Sequence, residues 1–219
     1  MTTAYSINAR FVRFLIEEAG APVNERSPCG GRTALHFCGI GGETETMAVP
    51  LEAGADIEAR YDHGGTPLLS CARYCLSAPT QLLLERGASA DVVDSKGLTP
   101  LISACAERGW FSDNYRWPVF QELLRRSSTQ TRRVVIPSDG HSAADELAWR
   151  LQRDGPPAYD RARRTQERYR WALAELLASG ASARPQFATV VLPIAAALST
   201  RQETELAERR SERRRWRAH

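Results

Sequence analysis

The sequence lacks the features that mark several large classes of protein. The longest apolar run, residues 188–198, is too short to span a bilayer, and no apolar run follows a basic one at the start. Phosphate-binding glycine loops, His-Glu-x-x-His pairs and nucleophile elbows are also missing. These absences predict a cytoplasmic or nuclear protein that does not enter a membrane and carries no catalytic motif. No cofactor or metal is expected.

Lysine is almost absent. Lys96 is the single lysine among 29 basic residues, and 26 acidic residues leave a net charge of only +3. A charge this small does not predict nucleic-acid binding by the chain as a whole. The basic excess lies in an Arg-rich tail, residues 201–219, which is either a solvated charged helix or a weak contact for nucleic acid.

Cysteine is scarce and shows no regular framework. The five cysteines are an odd number, which predicts reduced thiols inside the cell. Cys71 and Cys75 are four residues apart and can share one helix face near His63, so a metal site is conceivable there. The spacing lacks the two pairs of ligands that zinc modules show, and packing of small apolar side chains is the favoured interpretation.

One helix start signal occurs three times in the sequence. Thr33, Thr66 and Thr99 each follow a Gly-x pair and stand 33 residues apart. Each threonine can cap a helix, and a proline after Thr66 and Thr99 suits the first helical position. Gly54 and Gly87, also 33 residues apart, are placed to end a second helix in each unit. The pattern predicts a repeat of two helices and an extended loop.

The repeated segments resemble ankyrin repeats, whose pattern runs roughly Asp-x-x-Gly-x-Thr-Pro-Leu-His. The matching segments are Gly31-Arg32-Thr33-Ala34-Leu35-His36, Gly64-Gly65-Thr66-Pro67-Leu68-Leu69 and Gly97-Leu98-Thr99-Pro100-Leu101-Ile102. The resemblance implies an all-α solenoid of ankyrin type with short β-turn loops, two enlarged C-terminal repeats and a capping helix. It also implies that His36 hydrogen-bonds between adjacent turns.

The predicted organisation is a single ankyrin-repeat domain over residues 1–200, followed by the tail. Its parts are a half repeat 9–29, repeats 30–62, 63–95, 96–138 and 139–183, and a capping segment 184–200. Pro50 stands where other repeats have an apolar residue, so the second helix there is expected to be bent or shortened at Met47–Val49. The third full repeat carries an aromatic insertion of about seven residues.

The resemblance implies a non-enzymatic module that binds a protein or peptide on its concave face, the face formed by the first helices and the loop tips. On the first helices, Phe37 and Ile40 are candidates, although both are equally well explained by packing on neighbouring loops. The full set of candidate residues is Phe37, Ile40, Arg60, Tyr61, His63, Arg73, Tyr74, Trp110, Phe111, Tyr115 and Trp117.

The aromatic insertion supports an alternative of another class. Residues 110–120 can fold over the concave face and close a pocket near His36, His63 or His141, which would make the chain a small-molecule-binding protein or an unusual enzyme. The same aromatics can instead form a small satellite core. The sequence leaves both interpretations open.

Overall fold

A computed structural model describes residues 9–41, 43–105, 113–136, 140, 142–153 and 160–200. The described residues form helices and no strand, with one isolated bridge between Val135 and Ser142. No helix among them is both long and apolar enough to cross a membrane. The predicted all-α class is confirmed.

The chain divides into two compact units after Ala143, and the first unit contains eight helices in its described part. They are α1 (Ala9–Arg13, continued by a π-helical turn Phe14–Glu18), α2 (Ala34–Gly41), α3 (Thr44–Glu52), α4 (Pro67–Arg73), α5 (Ser77–Glu85), α6 (Pro100–Cys105), α7 (Asp113–Arg126) and α8 (Thr129–Arg132).

These helices pack as two parallel rows. The first row runs α2, α4, α6, and the second runs α1, α3, α5, α7, with each helix contacting the next in its row. The rows are joined where α2 contacts α3, α4 contacts α5, and α6 contacts α7. A helix pair that packs only on its neighbours is the unit of a solenoid, so the predicted ankyrin-type architecture is confirmed.

The predicted caps are present at two of the three starts. The Thr66 hydroxyl accepts a hydrogen bond from the backbone N–H of Leu69 at 3.4 Å, and the Thr99 hydroxyl accepts one from Ile102 at 3.1 Å. Each bond satisfies one of the N–H groups that a helix leaves free at its start. At the first start the hydroxyl of Thr33 contacts the His36 ring instead.

The core repeats with the same period as the caps. Leu35, Leu68 and Leu101, one per repeat, are all fully buried on the first helices. Close packing also explains Gly39, where a Cβ atom would lie 2.8 Å from the sulfur of Cys71 and 2.9 Å from the terminal methyl of Met47. The first row therefore packs too closely at this point to admit even alanine without a shift.

Hydrogen bonds also tie each loop to the next. The backbone N–H of Asp62 donates to Gly30 at 3.0 Å, and that of Ser95 donates to His63 at 3.0 Å. Side-chain acceptors make the same kind of link from one repeat to its neighbour, from Asn24 to Asp56, from Glu58 to Ser89 and from Asp91 to Ser128. Adjacent loops are therefore held in register by polar groups as well as by the core.

The expectation that Pro50 shortens its helix is wrong. α3 continues past Pro50 to Glu52, and its nine residues equal the length of α5. The proline removes one backbone donor, but the helix still closes with the Ala53 N–H bonded to Val49 at 3.1 Å. Burial of Met47, Val49 and Pro50 keeps the helix in place despite the lost bond.

The second unit, Ala144–His219, contains the remaining described helices. They are α9 (Ala143–Arg153), α10 (Asp160–Ala178), a 3-10 turn (Pro185–Phe187) and a helical run over 188–200 that passes through Pro193 without a break. The buried carboxylate of Asp145 accepts a hydrogen bond from the Arg184 N–H at 2.7 Å. The repeat boundaries and the capping segment stay predictions.

Candidate functional site

Polar and aromatic groups of the loops before α2 and α4 lie together in the first two repeats. They are arranged around Tyr61, which stands in the loop position where the ankyrin pattern has aspartate. The next repeat keeps that aspartate as Asp94, whose carboxylate accepts hydrogen bonds from the N–H groups of Lys96 at 2.9 Å and Leu98 at 2.8 Å. Tyrosine cannot make that turn-closing contact, so its ring is free to lie elsewhere.

The Tyr61 ring is buried, with 8% of the residue exposed, whereas the sequence predicts an exposed loop-tip residue. The ring lies against Gly65, where any Cβ atom would collide with it. It also makes edge contacts with His36, at 5.7 Å between ring centroids, and with His63, at 6.1 Å. Because Gly65 has no side chain, the loop has room to take the ring in.

Arg32 lies over this ring and was not among the sequence candidates. Its guanidinium carbon is 5.2 Å from the centroid of the Tyr61 ring, within the range of a cation–π contact. The side chain is half-buried, its Nε atom is enclosed without a hydrogen-bond partner, and it has no ion pair with any residue that the structure describes. The sequence contained one signal for Arg32. It is the middle residue of the first Gly-x-Thr turn, the position that Gly65 holds in the next repeat.

Charges around the Tyr61 hydroxyl act in opposite directions. Burial raises the pKa of Tyr61 above its usual value of 10.0, and the carboxylate of Asp94 raises it further. The guanidinium groups of Arg73 and Arg32 oppose this shift. Both arginines are therefore close enough to act on the same phenol. We call Arg32, Tyr61, Arg73 and Tyr74 the Tyr61 cluster.

Two further sequence candidates, Phe37 and Ile40, lie on α2, which packs against α4, the helix that ends at Arg73 and precedes Tyr74 of this cluster. Phe37 of α2 is 40% exposed and Tyr74, which follows α4, is 38% exposed, while Arg73 is exposed and Ile40 is half-buried. Since α2 and α4 pack side by side, the structure brings these residues into one region.

Arg60 lies at the loop tip as predicted, but its guanidinium is engaged. Its Nη1 atom donates to the carbonyl oxygens of Gly64 and Val93, each at 3.1 Å. The same loop receives Arg26, which donates to the Arg60 carbonyl at 2.8 Å and pairs with Asp62 at 3.1 Å. Arg60 therefore joins one repeat to the next. His63 is exposed nearby.

His36 makes the contacts that the resemblance implies. Its Nδ1 atom accepts from the Thr33 N–H at 3.2 Å, so the proton of the neutral ring sits on Nε2, which donates to the Gly65 carbonyl at 3.3 Å. Burial lowers the pKa of His36 below its usual 6.5, and the charges of Arg32 and Arg26 lower it further. This neutral, fully bonded ring is a structural link between two repeats.

Four of the five cysteines are buried, and Cys29 is exposed. Cys75 follows the end of α4 and has a φ of 55°, so it does not share a helix face with Cys71 as the sequence suggested. Among the described residues, no group of three histidine, cysteine or acidic side chains is arranged to hold a metal ion.

Cys29 is expected to be the one thiol that reacts in the folded protein. Burial raises the pKa of Cys38 to about 11 and that of Cys71 to about 12, and Cys75 and Cys105 are also buried, whereas Cys29 is exposed. Ellman's reagent at pH 8 should titrate one thiol per chain without denaturant and five in guanidinium chloride. Cys29→Ser should abolish the native signal. Rapid release of more than one equivalent would contradict the burial of the other four.

The aromatic insertion is only partly within the described residues. Trp110, Phe111 and His141 lie outside them, as does the Arg-rich tail, and the side chain of Tyr115 is likewise not described. Trp117 lies within α7, half-buried, and stacks on Phe120 at 5.9 Å between ring centroids. The described part of the segment thus adds a helical turn with its own aromatic packing.

The second unit contains a half-open groove of about 620 Å³. None of the predicted site residues lines it. Its wall is apolar apart from Arg170 and Thr189, and it includes the exposed ring of Trp171. The groove is therefore a different site from the pocket that residues 110–120 were expected to close near the histidines.

The two rows of helices, their Gly-x-Thr turns and the bridging histidine have the arrangement of ankyrin repeats. Comparison with known proteins agrees. Ankyrin repeat, SAM and basic leucine zipper domain-containing protein 1 of Mus musculus is 32% identical over 109 residues, which cover 46% of this chain and 22% of that protein. The protein of the same name from Oryctolagus cuniculus is 31% identical over 108 residues, with the same coverage.

A plant relative matches a similar length of the chain. The ADP-ribosylation factor GTPase-activating protein AGD2 of Arabidopsis thaliana is 36% identical over 91 residues, which cover 41% of this chain and 12% of AGD2. No family model matches the chain. The matched part of the chain spans about a fifth of the length of the two animal relatives. The resemblance to ankyrin repeat proteins is confirmed, and it supports a protein-interaction module at the level of the family.

Proposed function

We propose that the chain is a non-enzymatic module that binds a protein or peptide on the concave face of its first two repeats. The observation that carries the proposal is the exposure of two large aromatic side chains, Phe37 on α2 and Tyr74 directly after α4, where α2 and α4 are adjacent helices of the first row. Removal of an exposed aromatic side chain from water by a partner is energetically favourable, and such side chains commonly anchor protein interfaces.

The surroundings of these rings favour a protein partner. Arg73 and Ile40 supply a charged group and an apolar group beside them, which gives the mixture of apolar centre and polar rim that interfaces use. The loops at its edge are held by the hydrogen bonds of Arg26 and Arg60, so the face is fixed before binding. A fixed surface loses little conformational entropy on association.

The test is selection of binders from a random peptide library displayed on phage, with the full chain immobilised. Peptides selected on the unmodified chain should lose about tenfold or more in affinity for a Phe37→Ala/Tyr74→Ala double variant, because both anchors are removed. The matched control is Phe11→Ala/Phe14→Ala, which truncates two exposed phenylalanines on the second row.

Thermal unfolding of both double variants shows whether either is destabilised. Selected peptides that bind the Phe37→Ala/Tyr74→Ala variant as tightly as the unmodified chain would place the binding surface elsewhere and overturn the proposal. Failure to select any peptide would count against it equally.

A further inference from the structure

We infer that the Tyr61 cluster binds an acidic side chain of the partner, so that the ligand of the concave face is an acidic peptide segment. The inference rests on the proposed function and adds the chemistry of the bound segment. It is carried by two arginines of neighbouring repeats that have no ion pair with the described residues: Arg32, which lies over the Tyr61 ring, and Arg73, which is exposed at the end of α4.

Arg32 is the first of these groups. It is half-buried over the Tyr61 ring, its Nε atom is enclosed without a hydrogen-bond partner, and it forms no ion pair with the described residues. Taking part of a guanidinium out of water without such a partner is unfavourable, and the cation–π contact offsets only part of that cost. The enclosed Nε atom is out of reach of a ligand, so an incoming carboxylate would bind the two terminal nitrogens of the guanidinium and neutralise its charge.

Arg73 is the second. It is exposed at the end of α4, and neither an ion pair nor a side-chain hydrogen bond joins it to the described part of the chain. Its charge acts on the same Tyr61 hydroxyl as that of Arg32, as does the neighbouring Tyr74. Arg73 ends α4, which packs against α2, and Arg32 stands two residues before α2, so both cations belong to the same pair of neighbouring repeats.

Two acidic groups of this region already have partners. Asp94 is buried and closes its own turn through two backbone N–H groups. Asp62 pairs with Arg26 at 3.1 Å. These bonds leave the charge of Asp94 in place. The described charged groups that act on Tyr61 or bond to its loop are two carboxylates, Asp62 and Asp94, and four arginines, Arg26, Arg32, Arg60 and Arg73, so the positive charge predominates here.

A carboxylate matches these groups in shape as well as in charge. Arginine presents a planar fork of donors that can hold both oxygens of a carboxylate, and such bonds are stronger than those between neutral groups. Tyr74 of the cluster and Phe37 on the neighbouring helix would cover an apolar neighbour of the acidic residue. The fit is therefore to a segment that alternates acidic and apolar side chains.

The experiment uses the peptides selected on the unmodified chain, each remade with its acidic side chains replaced by amides. We expect the selected peptides to be enriched in aspartate and glutamate, and the amide copies to bind about tenfold more weakly. Arg32→Gln and Arg73→Gln should each weaken the acidic peptide, by about tenfold and about threefold respectively, because Arg73 is more exposed to solvent. Both variants should discriminate less between the acidic peptide and its amide copy.

Two further variants make the result specific. Arg86→Gln removes an equally unpaired, exposed arginine from a loop after α5 and should leave binding unchanged. Arg32→Lys keeps the charge but loses the planar fork, and should give an intermediate affinity. If Arg32→Gln does not fold by circular dichroism, Arg73→Gln on the surface still decides the outcome.

The outcomes separate this inference from the proposed function. Neutral or basic peptides that require Phe37 and Tyr74 would leave the proposed function standing and overturn the acidic-ligand inference. An acid preference that survives both arginine substitutions would overturn it as well. Failure to select any peptide would remove both. Tighter binding of oligothymidylate than of the peptides, lost on the same arginine substitutions, would assign the cluster to nucleic-acid phosphates instead.

Discussion

Leu68→Ala is expected to lower the free energy of unfolding by about 2–5 kcal/mol. Leu68 is 1% exposed and lies on α4, the middle helix of the first row, which packs against α2, α5 and α6. Truncation there removes buried methyl groups and leaves a cavity that three neighbouring helices cannot all move to fill. Since domains of this size are stable by only about 5–15 kcal/mol, the loss should be visible in a denaturant titration as a large shift of the midpoint.

The matched control for this truncation lies in the same unit. Val93 is an exposed aliphatic residue in the loop before α6, and Val93→Ala should change the unfolding free energy by no more than about 0.5 kcal/mol. Equal midpoints for Leu68→Ala and the unmodified chain would show that Leu68 is outside the core, and the assignment of the first row would be wrong.

His36 is expected to make stability depend on pH in the mildly acidic range. The folded protein holds the ring neutral, because Nδ1 accepts from Thr33 and burial lowers the pKa below 6.5. The unfolded chain takes up a proton near pH 6.5, so it binds more protons than the folded chain just below that pH. The stabilisation is therefore complete above about pH 6.5 and decreases as pH falls toward the lowered pKa, by at most about 1.4 kcal/mol per pH unit.

His36→Gln tests this dependence directly. At pH 7.5 the variant should be less stable by about 1–3 kcal/mol, since a fully buried ring bridging two repeats is lost. Between about pH 6.5 and 5 the difference should narrow, because only the unmodified chain loses stability through this site. His63→Gln, which changes an exposed histidine, is the control. Parallel pH profiles for the unmodified chain and His36→Gln would contradict the proposed linkage.

The sequence predicts the parts of this protein that obey its period. The caps at Thr66 and Thr99 follow from a helix start signal repeated every 33 residues, and the resemblance to ankyrin repeats implies the bridging role of His36. Each depends on one residue type at one position of the repeat. The prediction that Pro50 shortens its helix was wrong. The proline removes one backbone hydrogen bond, whereas α3 is held in place by the burial of several side chains against the neighbouring helices.

The candidate site was predicted only in part, because it depends on what two repeats do together. Exposure of Phe37 and Tyr74 follows from their positions on the first helices, and the structure agrees. Burial of Tyr61 follows from the missing side chain of Gly65, and the position of Arg32 follows in turn from the Tyr61 ring. Contacts that depend on one another in this way cannot be predicted from the spacing of a single motif.

The hydrogen bonds that tie each loop to the next have a consequence for how the chain folds. Those from Asn24, Glu58 and Asp91 join residues 31 to 37 positions apart, which is about one repeat. Contacts of such short range give a low contact order, and low contact order favours rapid folding. During synthesis, each new repeat would need only the one before it as a template, so the first unit can acquire structure as it leaves the ribosome.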